Sequence, residues 1–431
     1  MKYFSTNNKG LRYSFKEAVI KGLAPDEGLF FPESIPHLGN DFFSRLPNMS
    51  LSEIGYEVSK HFVGEDITDT VLKEITRDAL NFETPLVEVE KEVYSLELFY
   101  GPTCAFKDVG ARFMSRCLGA FAKQSKRKIT ILVATSGDTG SAVANGFLGV
   151  EGVDVIILYP KNKVSEIQEQ QLTTMGKNIT ALEVNGTFDD CQALVKMAFV
   201  DEDLNKKMNL TSANSINIAR LLPQSFYYFY AWGQLKDKEK EIVISVPSGN
   251  YGNLTGGLLA KQMGLPISVF IASANKNKVV PDYLASGKYE PRSSFSTISN
   301  AMDVGAPSNF ARMMEMYQKE YKQVIRDIKG AWFSDQETKH AILDVYERTG
   351  YILDPHGAIG YLGLKKHLRS NSAIGIFLET AHPAKFKGTV EEVINVDVEI
   401  PTYLKECLEK EKQSVVIGKD YADLSAFLLR K

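Results

Sequence analysis

Cysteine is scarce in this chain. Four residues in 431, at 104, 117, 191 and 407, form no C-x-x-C pair, which argues against a disulfide scaffold. Six histidines (37, 61, 340, 356, 367 and 382) show no H-E-x-x-H and no Cys/His cluster, so no zinc site is expected. No run of 18 or more apolar residues occurs, and a membrane span is not expected. The opening MKYFSTNNKG lacks the long apolar stretch of a secretory signal. Neither sign of charge dominates: the formal net charge is −3, which gives no global attraction for nucleic acid or anionic membranes. Any anionic ligand must be held by local cations or backbone N–H groups. Both G-x-x-x-x-G-K-[ST] and G-x-G-x-x-G are missing, so triphosphate and dinucleotide sites lack their signatures. Together these absences favour a cytoplasmic globular protein.

What is present is an ordinary core-forming composition, 44% hydrophobic and 24% charged, over a length that suggests two to three domains. Three regions separate by pattern. Residues 1–80 open with short extended pieces and a turn-rich stretch, GLAPDEGLFFPESIP (22–36), whose Pro and Gly punctuation reads as a surface loop. Helical periodicity follows at 51–62 and 69–80. Residues 81–390 repeat one grammar, in which an apolar β-rich run leads into a small-residue loop and then a helical stretch. The runs lie at 128–134, 153–159, 179–185, 241–247, 267–274 and 373–380, with helices expected at 165–176 and 188–208. Continuous Val/Ile/Leu runs mark strands buried on both faces of a parallel sheet, so the fold class is open α/β. Residues 391–431 are more charged and have no assigned place.

Open α/β sheets bind ligands beyond the carboxyl ends of their strands, and the loops there carry the candidate chemistry. In GPTCAFKDVGAR (101–112), Lys107 lies beside Phe106 in a mostly uncharged stretch. Desolvation would lower its pKa and make a nucleophilic amine; the alternative is a snorkelling surface lysine paired with Asp108. Ser248, Gly249, Asn250, Tyr251, Gly252 and Asn253 follow a strand and open a helix, a place where backbone N–H groups suit a phosphate; the alternative is a tight turn. Ser136, Asp138 and Thr139 lie in ATSGDTGS (134–141), fit for an anion, or they simply cap a helix. Arg220, in NSINIAR (214–220), offers a grip on a second phosphate or a surface ion pair. Thr380 and His382, in LETAHPAK (378–385), offer a hydroxyl for a heterocyclic nitrogen, or a cap and a turn histidine. All these loops read as strand ends of one sheet.

The stretches GPTCAFKDVGARF, ATSGDTGSA, NSINIARLLPQ, PSGNYGN and ETAHPAKF, in this order, resemble the threonine synthases, a branch of the pyridoxal phosphate enzymes related to the tryptophan synthase β subunit. GLAPDEGLFFP resembles that family's N-terminal domain, so the likeness runs from about residue 10 to 390. It implies mostly parallel sheets flanked by helices in two subdomains around the active site (81–390), an additional N-terminal domain (1–80) and a C-terminal segment (391–431). It further implies pyridoxal 5′-phosphate on Lys107, with the cofactor phosphate on Ser248, Gly249, Asn250, Tyr251 and Gly252, Asn253 adjoining, and Thr380 facing the pyridine nitrogen. By the same likeness Ser136 and Thr139 meet a substrate carboxylate, and Asn214, Ser215 and Arg220 receive a substrate phosphate. Many relatives carry Asn where this chain has Asp138, which is assigned to the loop's orientation or the cofactor's 3′-oxygen. Cys104 stands where larger aliphatic residues are common and packs. The implied activity is conversion of O-phospho-L-homoserine and water to L-threonine and phosphate, by a monomer or homodimer. The competing readings are a serine/threonine dehydratase, a cysteine synthase-like enzyme and a non-catalytic relative. The first two have no need for a phosphate site at 214–220.

Overall fold

The computed structural model describes residues 1–123, 128–135, 137–368 and 373–430. The long apolar runs become strands of two sheets, not one. The first has six strands in the order Ile328–Trp332, Val269–Ala274, Glu241–Pro247, Ala373–Glu379, Val93–Glu97 and Leu86–Glu90. All of its pairs are parallel except the last, which is an antiparallel hairpin. The second has five strands, all parallel, in the order Val415–Ile417, Ile179–Val184, Val153–Pro160, Ile129–Ala134 and Asn209–Thr211. Ile129–Ala134 and Ala373–Glu379 are buried at every position, as strands covered by helices on both faces must be.

Helix starts follow local capping chemistry. Ser50 with Glu53 and Ser165 with Gln168 form reciprocal capping boxes that open Leu51–Val63 and Glu166–Thr173. The helix expected over 188–208 divides into Phe188–Val200 and Glu202–Lys207, because Asp201 adopts extended backbone and its carboxylate accepts from Leu204 N–H. Helix Lys107–Ala122 packs closely on Asp138–Phe147: a Cβ on Gly146 would sit 3.2 Å from the Ala111 backbone. That contact joins the first turns of the helix that begins at Lys107 to the last turn of the helix that begins at Asp138.

The stretch read as a surface loop near residue 30 is instead part of the core. Phe30–Pro32 pairs antiparallel with Tyr3–Ser5, and Leu29, Phe30 and Phe31 are buried. Three consecutive apolar side chains outweigh the flanking turn residues, since burying each is worth about 1.5–3 kcal/mol. The charged tail has a place too. Thr402–Leu408 and Tyr421–Leu429 are helices, and Val415–Ile417 forms an edge of the five-stranded sheet beside Ile179–Val184. Among the described residues no helix is long and apolar enough to cross a membrane.

Candidate functional site

The carboxyl ends of both sheets face one cavity of about 340 Å³, lined by Lys107, Asp138, Thr139, Asn214, Ser215, Arg220, Gly249, Asn250, Tyr251, Gly252, Asn253 and Thr380. Ser248 is buried outside this lining, and its hydroxyl donates to Asn253 Oδ1 at 2.8 Å. Ser136 lies outside the described residues. The loops at 107, 248–253 and 380 belong to the six-stranded sheet, whereas 138–139 and 214–220 follow strands of the five-stranded one. The site is therefore a cleft between two sheets.

Lys107 begins its helix from a segment zipped to the Thr380 loop. Phe106 N–H donates to Thr380 O at 2.9 Å, and His382 N–H donates to Cys104 O at 3.0 Å. These bonds fix where the lysine emerges relative to Thr380. Its side chain is 16% exposed, and burial lowers its pKa, although Asp138 works against the shift. Asp108 does not pair with it. That carboxylate accepts from Thr103 N–H at 2.8 Å and Thr103 Oγ1 at 2.7 Å, and burial pushes it up to about 6.

Asp138 sits between two cations. Lys385 Nζ lies 2.7 Å from Oδ1, Lys107 Nζ lies 3.9 Å from Oδ2, and Gln168 Nε2 donates to Oδ1 at 3.0 Å. Burial alone would raise its pKa, yet the two lysines hold it below the ordinary carboxylate range. Lys385 is fully buried, and its Nζ also donates to Thr103 O at 2.9 Å. Sequence reasoning gave this lysine no role. Capping of the helix at 138 falls to Thr135, whose hydroxyl accepts from Gly137 N–H at 3.0 Å and Gly140 N–H at 2.9 Å. Asp138 and Thr139 are thereby released from that duty.

The loop at 248–253 has the geometry of an anion cradle. Tyr251 has φ +58° and turns the chain into the helix Gly252–Gln262, whose first-turn N–H groups have no backbone partner within the helix, Leu254 N–H being met by Asn253 Oδ1 at 3.0 Å. Gly249 permits close approach, since a Cβ there would stand 2.7 Å from Met302 Cα.

Opposite lies the 213–217 loop, gripped by two buried guanidinium groups. Arg220 donates to Ala213 O, its Nε has no hydrogen-bond partner among the described residues, and burial lowers its pKa to about 10. Arg312, on the helix Phe310–Met316, donates to Ser215 O at 3.0 Å and Ile216 O at 2.6 Å. Among the described residues neither arginine has a carboxylate within 4.0 Å. Asn309 donates to Ser215 Oγ at 3.3 Å and Asn250 O at 3.2 Å. His356, another cavity residue, is braced by Asp354 at 2.5 Å. Asn309, Arg312 and His356 escaped sequence reasoning because none stands directly after an apolar run.

The chain matches three family models: "Threonine synthase N terminus" over residues 2–80, "Pyridoxal-phosphate dependent enzyme" over 78–378 and "Threonine synthase, C-terminal" over 357–428. It is 45% identical over 435 residues to threonine synthase of Haemophilus influenzae, with 100% of each chain covered. The crystal structure of threonine synthase from Escherichia coli superimposes with a TM-score of 0.94 at 41% identity, covering 100% of both chains. A pyridoxal-phosphate-bound threonine synthase from Brucella melitensis superimposes at 0.93 with 33% identity, covering 100% of this chain and 99% of that one. The chain belongs to the pyridoxal-phosphate-dependent enzymes and, within them, to the threonine synthase family.

Proposed function

We propose that this chain converts O-phospho-L-homoserine and water to L-threonine and phosphate, with pyridoxal 5′-phosphate held on Lys107. The observation that carries the reading is Arg220. Its buried guanidinium, without a carboxylate partner, lines the same cavity as the lysine. A buried cation without a counter-ion is costly, and a phosphate-bearing substrate supplies the missing charge. Dehydratases act on substrates that carry no phosphate and need no such residue.

Fit to the cofactor is supported by three features. Lys107 is a partly desolvated amine, the 249–253 loop offers a helix N-terminus on left-handed backbone, and the Thr380 loop is bonded to the lysine's own segment. Bound pyridoxal phosphate supplies an electron sink that stabilises negative charge at the substrate's α- and β-carbons. Lys107 Nζ then accepts the α-proton, passes it to solvent and accepts a β-proton. Once phosphate has left, one proton goes to the γ-carbon, water gives its hydroxyl to the β-carbon and its proton to the phosphate, and Lys107 returns a proton to the α-carbon. Arg220, Ser215 and Asn214 hold the phosphate as it leaves the γ-carbon. Thr139 and Ser136 orient the substrate carboxylate, and Asp138 keeps Lys107 in place. Thr380 presents a neutral hydroxyl to the ring nitrogen. That arrangement favours elimination over transamination, because a hydroxyl does not stabilise a proton there as a carboxylate would.

The division at about residues 80 and 390, and a cytoplasmic location, are proposed with this function. The test is phosphate release from O-phosphohomoserine by the purified holoenzyme, with threonine identified as product. Ammonia release from threonine without phosphate release from phosphohomoserine would establish the dehydratase reading instead.

A further inference from the structure

The hydroxyl of Ser215 has its direction imposed by its neighbours. Asn250 Nδ2 donates to Ser215 Oγ at 2.7 Å and Asn309 Nδ2 donates to it at 3.3 Å. A side-chain amide has two ends of similar shape, and the surrounding partners decide which end faces where. Here both are decided. Asn250 Oδ1 accepts from Ser308 N–H at 2.6 Å, and a backbone N–H can only donate. Asn309 Oδ1 accepts from Arg312 Nη1 at 2.9 Å, and a guanidinium has five donors and no acceptor. Each amide must therefore turn its nitrogen toward Ser215. With two donors aimed at its oxygen, the hydroxyl has one proton left to give. No acceptor for that proton is found among the described residues, and Ser215 lines the cavity.

Arg312 is built to hold this setting and not to touch a ligand itself. It is fully buried and lines no part of the cavity. All of its donor nitrogens are engaged by neutral oxygens. Nε and Nη2 donate to Phe30 O at 3.0 and 2.9 Å, Nη2 also to Ile216 O, and Nη1 to Ser215 O and Asn309 Oδ1. The same group thus ties the strand Phe30–Pro32, near the N-terminus, to the 213–217 loop.

We propose that Arg312 and Asn309 are positioning residues that fix Ser215 as a hydrogen-bond donor toward a phosphate monoester dianion in the cavity, the leaving group of the substrate. This rests on the phosphohomoserine reading above, and it adds the relay Arg312–Asn309–Ser215 with its anchor at Phe30.

The decisive variant is Asn309→Asp in the holoenzyme. It keeps the size of the side chain and the contact with Arg312, but its second oxygen cannot donate to Ser215. The hydroxyl proton then turns inward, toward the new carboxylate. KM for O-phosphohomoserine and the dissociation constant for inorganic phosphate should both rise roughly 10- to 100-fold, with kcat changed much less and the absorbance of the bound cofactor unchanged. The added charge is controlled in a Ser215→Ala background. There Asn309→Asp should cost at most a few-fold, because the hydroxyl it acts through is gone. An equal loss in both backgrounds would mean that simple repulsion explains the variant, and the relay would be wrong. Arg312→Lys, which restores a donor to Asn309 Oδ1, should recover phosphate binding better than Arg312→Met. Weakened cofactor retention with unaltered inorganic phosphate binding would assign the dianion to the cofactor and overturn the proposal. If wild type released no phosphate from O-phosphohomoserine, the proposed function would fail, yet inorganic phosphate binding by the variants would still judge the relay.

Discussion

The two walls of the cavity hold buried charge in opposite ways. On the wall of Lys107, Asp138 lies between two lysines and accepts from Gln168, so positive and negative groups meet inside the protein. On the wall of the 213–217 loop, Arg220 and Arg312 bury two positive charges whose hydrogen bonds go to carbonyl oxygens, and Asp108 reaches Arg220 only from beyond ion-pair distance. The first wall carries its own counter-ion, one carboxylate shared by two lysines. The second is complete only when an anion arrives. Under the proposed function, the difference separates a wall that holds one amine in place from a wall that captures and releases phosphate, because a permanent counter-ion there would compete with the substrate.

The sharpest way to break this comparison is to remove Lys107. Lys107→Ala should reduce turnover roughly ten-thousand-fold or more while leaving the fold intact, because Lys385 still neutralises Asp138. Borohydride trapping of wild type should place the pyridoxyl group on a peptide containing residues 101–112, and a tag on any other peptide would refute the assignment. Next in size is Arg220→Met. kcat/KM for phosphohomoserine should fall about 100- to 1,000-fold, whereas the ligand-free protein should melt no lower than wild type, since a buried, unbalanced charge has been removed. A lower melting temperature would mean that the arginine is already compensated. Lys385→Met probes the opposite wall and should destabilise the protein by about 3–5 kcal/mol in denaturant titration, with part of the loss recovered in the Lys385→Met/Asp138→Asn double variant. If the single variant is as stable as wild type, the two walls do not differ in the way described.

The smallest expected effect is one of pH. The folded-state pKa of Lys107 lies below the ordinary 10.5, so between the two values the unfolded chain binds more protons than the native one. Stability of the cofactor-free enzyme should therefore rise with pH across that window, by at most about 1.4 kcal/mol per pH unit. Lys107→Met should remove that part of the slope. An unchanged slope in calorimetric melts at several pH values would show that the lysine is not desolvated.

Residues placed at strand ends are legible from local pattern. Asp138, Thr139 and the loop 249–253 each follow an apolar run, and open α/β sheets bring such loops together; Lys107 and Arg220 follow none of those runs and were legible only from their own short motifs. Division into two sheets is not legible that way, because strand runs look alike whichever sheet they join. The burial of Phe30 was hidden by the turn residues around it. Lys385 stood inside a motif already noticed, yet its role depends on Asp138, a partner far away in sequence that no spacing rule connects. Arg312 and Asn309 were harder still. They sit at the start of a short helix, meet the cavity only through Ser215, Ile216 and Asn250, and carry nothing local that distinguishes them from a surface arginine and a helix-capping asparagine.

The tail that joins the five-stranded sheet carries a consequence for synthesis. Val415–Ile417 lies beside Ile179–Val184, Asn185 N–H donates to Ile417 O at 3.0 Å, and Lys412 bridges Glu169 and Glu183 at 2.8 Å each. During synthesis the edge of Ile179–Val184 has no neighbour until Val415–Ile417, far later in the chain, has been made. A nascent chain in this state offers an open β edge to other molecules. Sealing it depends on a strand that reaches its partner from far along the chain, so this side of the sheet can close only after that segment has emerged.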